Sequence, residues 1–130
     1  MGANTYSITA SGYKSKTATD NLYVKNDSPS EYGLGLNGTS DNEINSGQYI
    51  YLDFSSLANQ GILDGTIGLG SVQSGEEGSI CSTTAVGTPG TVCTSVGDSG
   101  SDLGSLGVTW TKADPFFDIT VPKGKGNVLV

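Results

Sequence analysis

Short runs of alternating apolar and polar residues, separated by turn-forming residues, set the strongest limit on how this chain folds. The clearest run spans residues 48–54. Its apolar face consists of Ile50, Leu52 and Phe54. Its other face consists of Tyr49, Tyr51 and Asp53. Alternation with a period of two is typical of a β-strand with one buried face, so Asp53 is expected outside the core.

Further runs of this kind predict strands along most of the chain. An early run places Tyr6, Ile8 and Ala10 on one face, and a second places Leu22 and Val24 on one face. The other candidates lie between clusters of Gly, Pro, Asn, Asp or Ser: 66–72, 79–82, 91–96, 107–111, 116–121 and 127–130. About eight or nine short strands predict an all-β fold, an antiparallel β-sandwich resembling a jelly roll, with residues 1–130 as one domain. Residues 55–63 are the one segment expected to form a helical turn.

Two cysteines, Cys81 and Cys93, flank a segment that contains the turn signal Pro89-Gly90. The spacing differs from a redox CxxC pair, and two thiols without a histidine are too few for a structural zinc site. We therefore expect a disulfide that closes a hairpin or loop, which indicates an oxidising compartment. The alternative is a pair of buried free thiols in a cytosolic protein.

The charge of the chain argues against two classes of partner. The net charge is −7, and all six basic residues are lysines, none of which lies between Asn26 and Thr111. Nucleic-acid binding requires a cationic surface that neutralises phosphates, so we expect no nucleic-acid partner. No apolar run approaches the roughly 20 residues that span a bilayer, so direct membrane insertion is not expected either.

The residue types needed for common enzyme sites are missing. The chain has no histidine and no arginine, which removes the usual general base and the usual bidentate clamp for carboxylate or phosphate. Glu31, Glu43, Glu76 and Glu77 are the nominal carboxylates for glycoside hydrolysis. The adjacent Glu76 and Glu77 lie between glycines, which is typical of a solvated turn. We therefore predict a protein without enzymatic activity.

A glycine-rich segment over residues 31–45 concentrates hard oxygen ligands. The candidates for a structural calcium site are Glu31, Asp41, Glu43 and Asn45. Calcium takes about six to eight oxygens, which loops at the end of a sandwich can supply together with backbone carbonyls. In the alternative interpretation, Asp41 and Asn42 cap a turn through side-chain bonds to backbone amides.

Exposed aromatic rings form the basis of a different hypothesis, that of a carbohydrate-binding module for a polysaccharide. The candidate ligand-binding residues are Tyr49, Tyr51 and Trp110, since flat rings cover the apolar faces of sugars. The alternative is that these tyrosines pack against other parts of the sandwich or simply occupy a strand.

A series of short motifs occurs in a characteristic order along the chain: Ala10-Ser-Gly-Tyr13, Leu22-Tyr-Val-Lys25, Glu31-Tyr-Gly-Leu-Gly-Leu36, Asp41-Asn-Glu-Ile44, Ile50-Tyr-Leu-Asp-Phe54, Gly75-Glu76 and Gly126-Asn-Val-Leu129. In these motifs the chain resembles exported bacterial proteins that carry a PEP-CTERM sorting tail, the group regarded as substrates of exosortase. The Pro-Glu-Pro tail itself is expected after Val130.

The resemblance implies export to the cell surface or extracellular matrix of a Gram-negative bacterium, often beside biofilm polysaccharide. It implies a structural or adhesive role, with polysaccharide or other surface proteins as partners, and no defined activity. A further alternative is a polymerising filament subunit, in which an unpaired sheet edge or the 127–130 strand adds to the sheet of a neighbour.

Overall fold

The computed structural model describes residues 5–130 and shows an almost entirely β protein. Within these residues no helix has the length and apolar character that crossing a bilayer requires. The elements in chain order are β1 (Thr9–Tyr13), β2 (Thr19–Asp20), β3 (Leu22–Asn26), β4 (Tyr32–Leu36), β5 (Ile44–Asn45), β6 (Tyr49–Asp53), α1 (Ser55–Asn59), β7 (Asp64–Leu69), β8 (Glu77–Thr83), β9 (Val92–Gly97), β10 (Gly104–Thr109), β11 (Phe116–Thr120) and β12 (Asn127–Val128).

One large sheet organises the fold. Its six strands follow the order β2-β1-β6-β11-β8-β9, and every neighbouring pair is antiparallel. Three antiparallel pairs, β3 with β4, β7 with β10 and β5 with β12, form the remaining strand structure. The predicted antiparallel, sandwich-like all-β fold is therefore confirmed.

The core lies between the large sheet and the three strand pairs. The large sheet contributes buried apolar residues, among them Ile50, Leu52, Ile80, Phe117 and Ile119. The strand pairs contribute Leu36, Ile44, Ile67, Leu69 and Val128. As predicted, the apolar face of β6 is in the core, and Phe54 immediately after it is also buried. Burial of such side chains is the main favourable term in folding.

The C-terminal residues connect two of the strand pairs. Leu129 and Gly70 exchange backbone hydrogen bonds of 2.9 and 3.0 Å. Val130 and Leu34 do the same, with bonds of 2.6 and 3.0 Å. The 127–130 segment is thus paired within its own chain, and donating it to a neighbouring molecule would break these bonds.

Three details of the predicted strands differ from the structure. The first strand begins at Thr9, which leaves Tyr6 and Ile8 exposed rather than in a strand. In β3, Val24 is 73% exposed while Lys25 is buried. The glycine-rich 31–45 segment, interpreted as a loop, contains β4 and β5. The difference in β3 arises because alternation shows which residues share a face but not which face is covered.

The predicted disulfide between Cys81 and Cys93 is confirmed. The two cysteines lie directly opposite each other on β8 and β9. The bond therefore ties the last strand of the large sheet to its only neighbour in the sheet order.

Removing the disulfide is expected to destabilise the fold. Replacing both cysteines by serine releases a loop with a sequence separation of 12. Under the chain-entropy account this lowers the free energy of unfolding by about 2–3 kcal/mol. Urea unfolding measures the loss. Reductant should lower the urea midpoint of the wild type and leave that of the double serine variant unchanged. Equal midpoints for the two proteins without reductant would contradict the expectation.

Candidate functional sites

The predicted calcium ligands come together around a lysine. The Lys25 ammonium lies 2.6 Å from Glu43 Oε1 and 3.5 Å from Glu31 Oε2. It also donates to the backbone carbonyl of Asp41 at 3.3 Å. A lysine ammonium has three donors, and here each has an acceptor. The cation that these oxygens contact is thus the Lys25 ammonium.

Glu43 is the most deeply buried member of this Lys25 cluster. Only 3% of the residue is exposed, and Oε1 also accepts a hydrogen bond of 2.9 Å from the Ser71 hydroxyl. The hydrogen bond from Lys25 to Glu43, opposed by burial, holds the pKa of Lys25 above its usual value. Burying the Glu43 carboxylate costs desolvation energy, and the close ammonium and the hydroxyl donor offset this cost.

Asp41 forms the turn that carries Glu43 into the cluster. Its Oδ1 accepts the backbone N–H of Glu43 at 3.0 Å and the Asn45 amide at 3.5 Å, and its Oδ2 contacts the Asn127 amide. Burial acts to raise the pKa of Asp41, but these hydrogen bonds outweigh it and lower the pKa. The alternative interpretation of Asp41 as a turn-capping residue is therefore observed.

Gly35 explains part of the glycine-rich segment. A Cβ atom at this position would overlap the carbonyl oxygen of Asn42, which itself adopts a positive φ of 60°. The strand and the turn approach so closely that any side chain would separate them. Glycine at this position lets β4 pack against the turn that positions Glu43.

Among residues 5–130, no group of three or more His, Cys, Asp or Glu is arranged to hold a metal ion. Glu31, Asp41, Glu43 and Asn45 instead make the contacts described above with Lys25 and with one another. Calcium binding stays a prediction. A rise in melting temperature in millimolar calcium that Asp41→Ala abolishes would establish it.

The proposed sugar-binding aromatic residues are buried, so the hypothesis of an exposed aromatic platform is corrected. Tyr49 is 8% exposed and Tyr51 is 0% exposed. Tyr13 packs edge-on against Tyr51 with ring centroids 5.0 Å apart. Trp110 is 7% exposed, packs 4.6 Å from the Phe54 ring centroid and donates its indole N–H to the Ile62 carbonyl.

The outer face of the large sheet carries these tyrosines under a covering loop. Tyr51, Asp118 and Cys81 are opposite one another on β6, β11 and β8, so their side chains share this face. The 84–91 loop crosses above them, and its Gly90 donates its N–H to Asp118 Oδ2 at 2.6 Å. A Cβ at Gly90 would overlap the carbonyl oxygen of Ser82, so a side chain here would lift the loop.

Asp118 is a buried carboxyl group without a cation among its contacts within residues 5–130. It is 1% exposed, and its Oδ1, like the Tyr51 hydroxyl, has no hydrogen-bond partner there. Burial raises the pKa of Asp118 to about 6, although the Gly90 hydrogen bond acts in the opposite direction. The charged form is therefore disfavoured in the folded protein.

An apolar groove lies at the edge of the sandwich between β9 and β10. Its lining is uncharged and includes Val92, Thr94, Leu106, Val108 and Phe117, and its volume is about 280 Å³. The two strands approach at Gly97 and Gly104, where a Cβ on Gly104 would lie 2.8 Å from the Gly97 carbonyl oxygen. We call this region the β9–β10 groove.

Sequence reasoning missed Lys25, Ser71 and Asn127 in the first cluster and Asp118 in the second. Lys25 offered one signal, because it directly follows the residues Leu22-Tyr-Val24 in a predicted strand. Asp118 offered another, because it lies between Phe117 and Ile119 in a predicted strand. Neither signal identifies the partner, which is distant in sequence.

Comparisons with protein-family models, with curated proteins and with solved structures found no match.

The Lys25 cluster predicts a large cost for removing its cation. Lys25→Met leaves Glu43 buried without a counter-ion, which is expected to lower the free energy of unfolding by about 3–5 kcal/mol at pH 7. Adding Glu43→Gln should recover much of this loss. Lys125→Met is the matched control, because its ion pair with Glu77 is exposed and worth about 1 kcal/mol or less. Equal effects of the two lysine substitutions in denaturant unfolding would refute the assignment.

Asp118 predicts a stability that decreases with rising pH. Its folded pKa is about 6 against 3.8 for an ordinary carboxyl, so its contribution is most favourable below pH 4 and is lost between pH 4 and 6. Asp118→Asn keeps an acceptor for Gly90 and should raise the free energy of unfolding at pH 8 by up to about 3 kcal/mol. The gain should vanish at pH 3.5.

The matched control for this substitution is Asp114→Asn, at an exposed position. It should leave the pH profile of unfolding unchanged. A constant difference between Asp118→Asn and the wild type from pH 3.5 to pH 8 would show that Asp118 does not titrate in this range.

Proposed function

We propose that this chain is an exported, non-enzymatic structural or adhesive domain of the bacterial cell surface or extracellular matrix, and that two copies associate through β9. The observation that carries the proposal is an uncharged edge strand beside an uncovered apolar groove. The disulfide supports a location outside the reducing cytoplasm. The sequence motifs shared with exported PEP-CTERM proteins support a Gram-negative source.

β9 lacks the features that keep sheet edges apart. It is the last strand in the sheet order, and none of its six residues is charged or proline. Val92 is 74% exposed. Edge strands of proteins that stay monomeric usually carry charges, proline or bulges, because unpaired backbone N–H and C=O groups recruit other strands. The opposite edge is β2, which has only two residues, one of them Asp20.

A second copy of the same chain is the occupant that fits this edge. Ten of the 13 carboxylates lie between Asn26 and Thr111, so most modes of self-contact would oppose like charges. Antiparallel pairing of β9 with β9 of another copy places an uncharged strand against itself about a two-fold axis. The Val92 and Thr94 side chains of both copies would then cover the β9–β10 groove.

This geometry favours a closed dimer over a filament. A two-fold contact uses the same edge on both copies, and the edge of the large sheet that it leaves for further growth is the short β2. Copies held at a surface would be joined in pairs by such contacts. Association of this kind is a structural or adhesive role that needs no catalytic group.

The proposal predicts that a charge on β9 abolishes association. The wild type is expected to dimerise with a dissociation constant of about 1–100 µM. Thr94→Lys should weaken dimerisation at least tenfold, because pairing would bury like charges. Ser105→Lys adds the same charge at an exposed position of β10 that does not line the groove, and should dimerise as the wild type does. Sedimentation equilibrium provides the measurement.

A monomeric wild type at several hundred micromolar, or equal dimerisation of both lysine variants, would overturn the β9 interface. Export is tested separately by fractionating the native bacterium. Recovery of the protein in the cytoplasm with both cysteines reduced would overturn the proposed location.

A further inference from the structure

A polar depression lies at one end of the outer face of the large sheet, where β1 begins and β6 ends beside α1. Its volume is about 390 Å³, and its seven lining residues bear only hydroxyl, amide and carboxylate groups. This volume lies within the range of about 300–1,000 Å³ for small-molecule sites. We propose that this depression binds neutral sugar units of a polysaccharide, a function that does not depend on association through β9.

Asp53 is held in a fixed orientation at the base of the depression. Its Oδ1 accepts the backbone N–H of Ser55 at 2.8 Å and also accepts the Ser55 hydroxyl. Its Oδ2 has no hydrogen-bond partner within residues 5–130. A carboxylate with one oxygen fixed and one free accepts a charge-assisted hydrogen bond from a ligand hydroxyl without losing an existing bond.

The other polar groups surround this carboxylate. The side-chain amides of Asn59 and Gln60 are exposed and have no hydrogen bond within residues 5–130. The Ser56 hydroxyl, which accepts the backbone N–H of Ser7 at 3.3 Å, can still donate. Donors and acceptors at several angles match the adjacent hydroxyls of a pyranose, each of which both donates and accepts.

The chemistry of the depression selects among ligands. Asp53 is the one charged residue in its lining, so a uronic acid or a phosphorylated sugar would meet a negative charge. Calcium affinity rises with the number of charged ligands, and this lining has a single carboxylate. An uncharged polyol is the class that uses all of these groups.

An apolar surface lies beside the carboxylate. Phe116 on β11 is directly opposite Asp53 on β6, so the two side chains are neighbours on the same face of the sheet. Phe116 is only partly buried. Phe116 does not line the depression itself, but as its aromatic neighbour it can supply the apolar contact that the C–H face of a pyranose requires. This aromatic residue replaces the buried Tyr49, Tyr51 and Trp110 in the sugar-binding hypothesis.

The test is an NMR titration of the full chain carrying Thr94→Lys, which keeps self-association out of the measurement. The probes are the neutral disaccharides cellobiose, lactose and mannobiose, with glucuronic acid as the charged comparison. At least one neutral sugar should shift backbone resonances at residues 7–9 and 53–60, with a dissociation constant of about 0.1–10 mM for so open a site. Glucuronic acid should bind at least tenfold more weakly.

Variants at exposed positions test the assignment without endangering the fold. Asn59→Ala and Gln60→Ala should each lower affinity about threefold to tenfold through loss of a hydrogen bond. Gln73→Ala removes an exposed glutamine outside the depression and should leave affinity unchanged. Phe116→Leu should lower affinity while leaving the melting temperature within a few degrees of the parent.

Four results would overturn the proposal. The first is the absence of shifts with every neutral sugar at 50 mM, and the second is shifts confined to another part of the chain. The third is unchanged affinity in both amide variants. The fourth is a set of shifts at residues 53–60 that calcium chloride alone causes and that sugar does not change further. The depression would then bind a cation rather than a sugar. None of these results bears on the β9 interface, which sedimentation tests on its own.

Discussion

The large sheet has two faces, and the chain must cover both. The inner face packs against three strand pairs, which close the core with Leu36, Ile67 and Val128. Among residues 5–130, no second sheet covers the outer face. Its central residues are covered instead by the 84–91 loop, which Gly90 holds to Asp118 and Pro89-Gly90 turns back toward β9. The two proposed binding regions follow from where the strand pairs and the 84–91 loop end.

Both proposed binding regions lie where one of these two covering layers ends. β10 approaches β9 at Gly97 and leaves the β9–β10 groove beside Val92 and Thr94, which line it from the inner face of the large sheet. The loop stops before the Asp53 end of the sheet, so the outer face there ends in a polar depression beside α1. The first region is apolar and suits another strand, whereas the second is polar and suits hydroxyl groups. One sheet thus offers two surfaces of opposite character.

The sequence predicted the fold class, the disulfide and the inward face of β6, because these depend on local patterns. It left open whether Tyr49 and Tyr51 are exposed to a ligand or packed within the protein, because the covering loop follows β6 by some thirty residues in the sequence and folds over a face that alternation leaves undecided. Packing within the protein is the alternative that is observed. The calcium hypothesis named oxygen ligands that do lie close together in the structure. Lys25 occupies the space among them because β3 and β4 pair in a register that sets Lys25 opposite Gly33, a relation between strands that neither strand shows alone.

The two buried charged positions have opposite consequences for this protein. Lys25 and Glu43 neutralise each other, so the cluster joins β3, the Asp41 turn and Ser71 at a low electrostatic cost. Asp118 has no cation among its contacts within residues 5–130, so its charge is unfavourable at neutral pH. The carboxylate stabilises only the position of the loop, whose Gly90 N–H donates to it. An apolar residue at 118 would avoid the cost but would leave the Gly90 N–H buried without an acceptor. The loop that covers the tyrosines therefore requires an acceptor at this point of β11, and Asp118 supplies it at the expense of stability above pH 6. An amide oxygen would accept the same bond without this cost, so the loop explains the acceptor and not the charge.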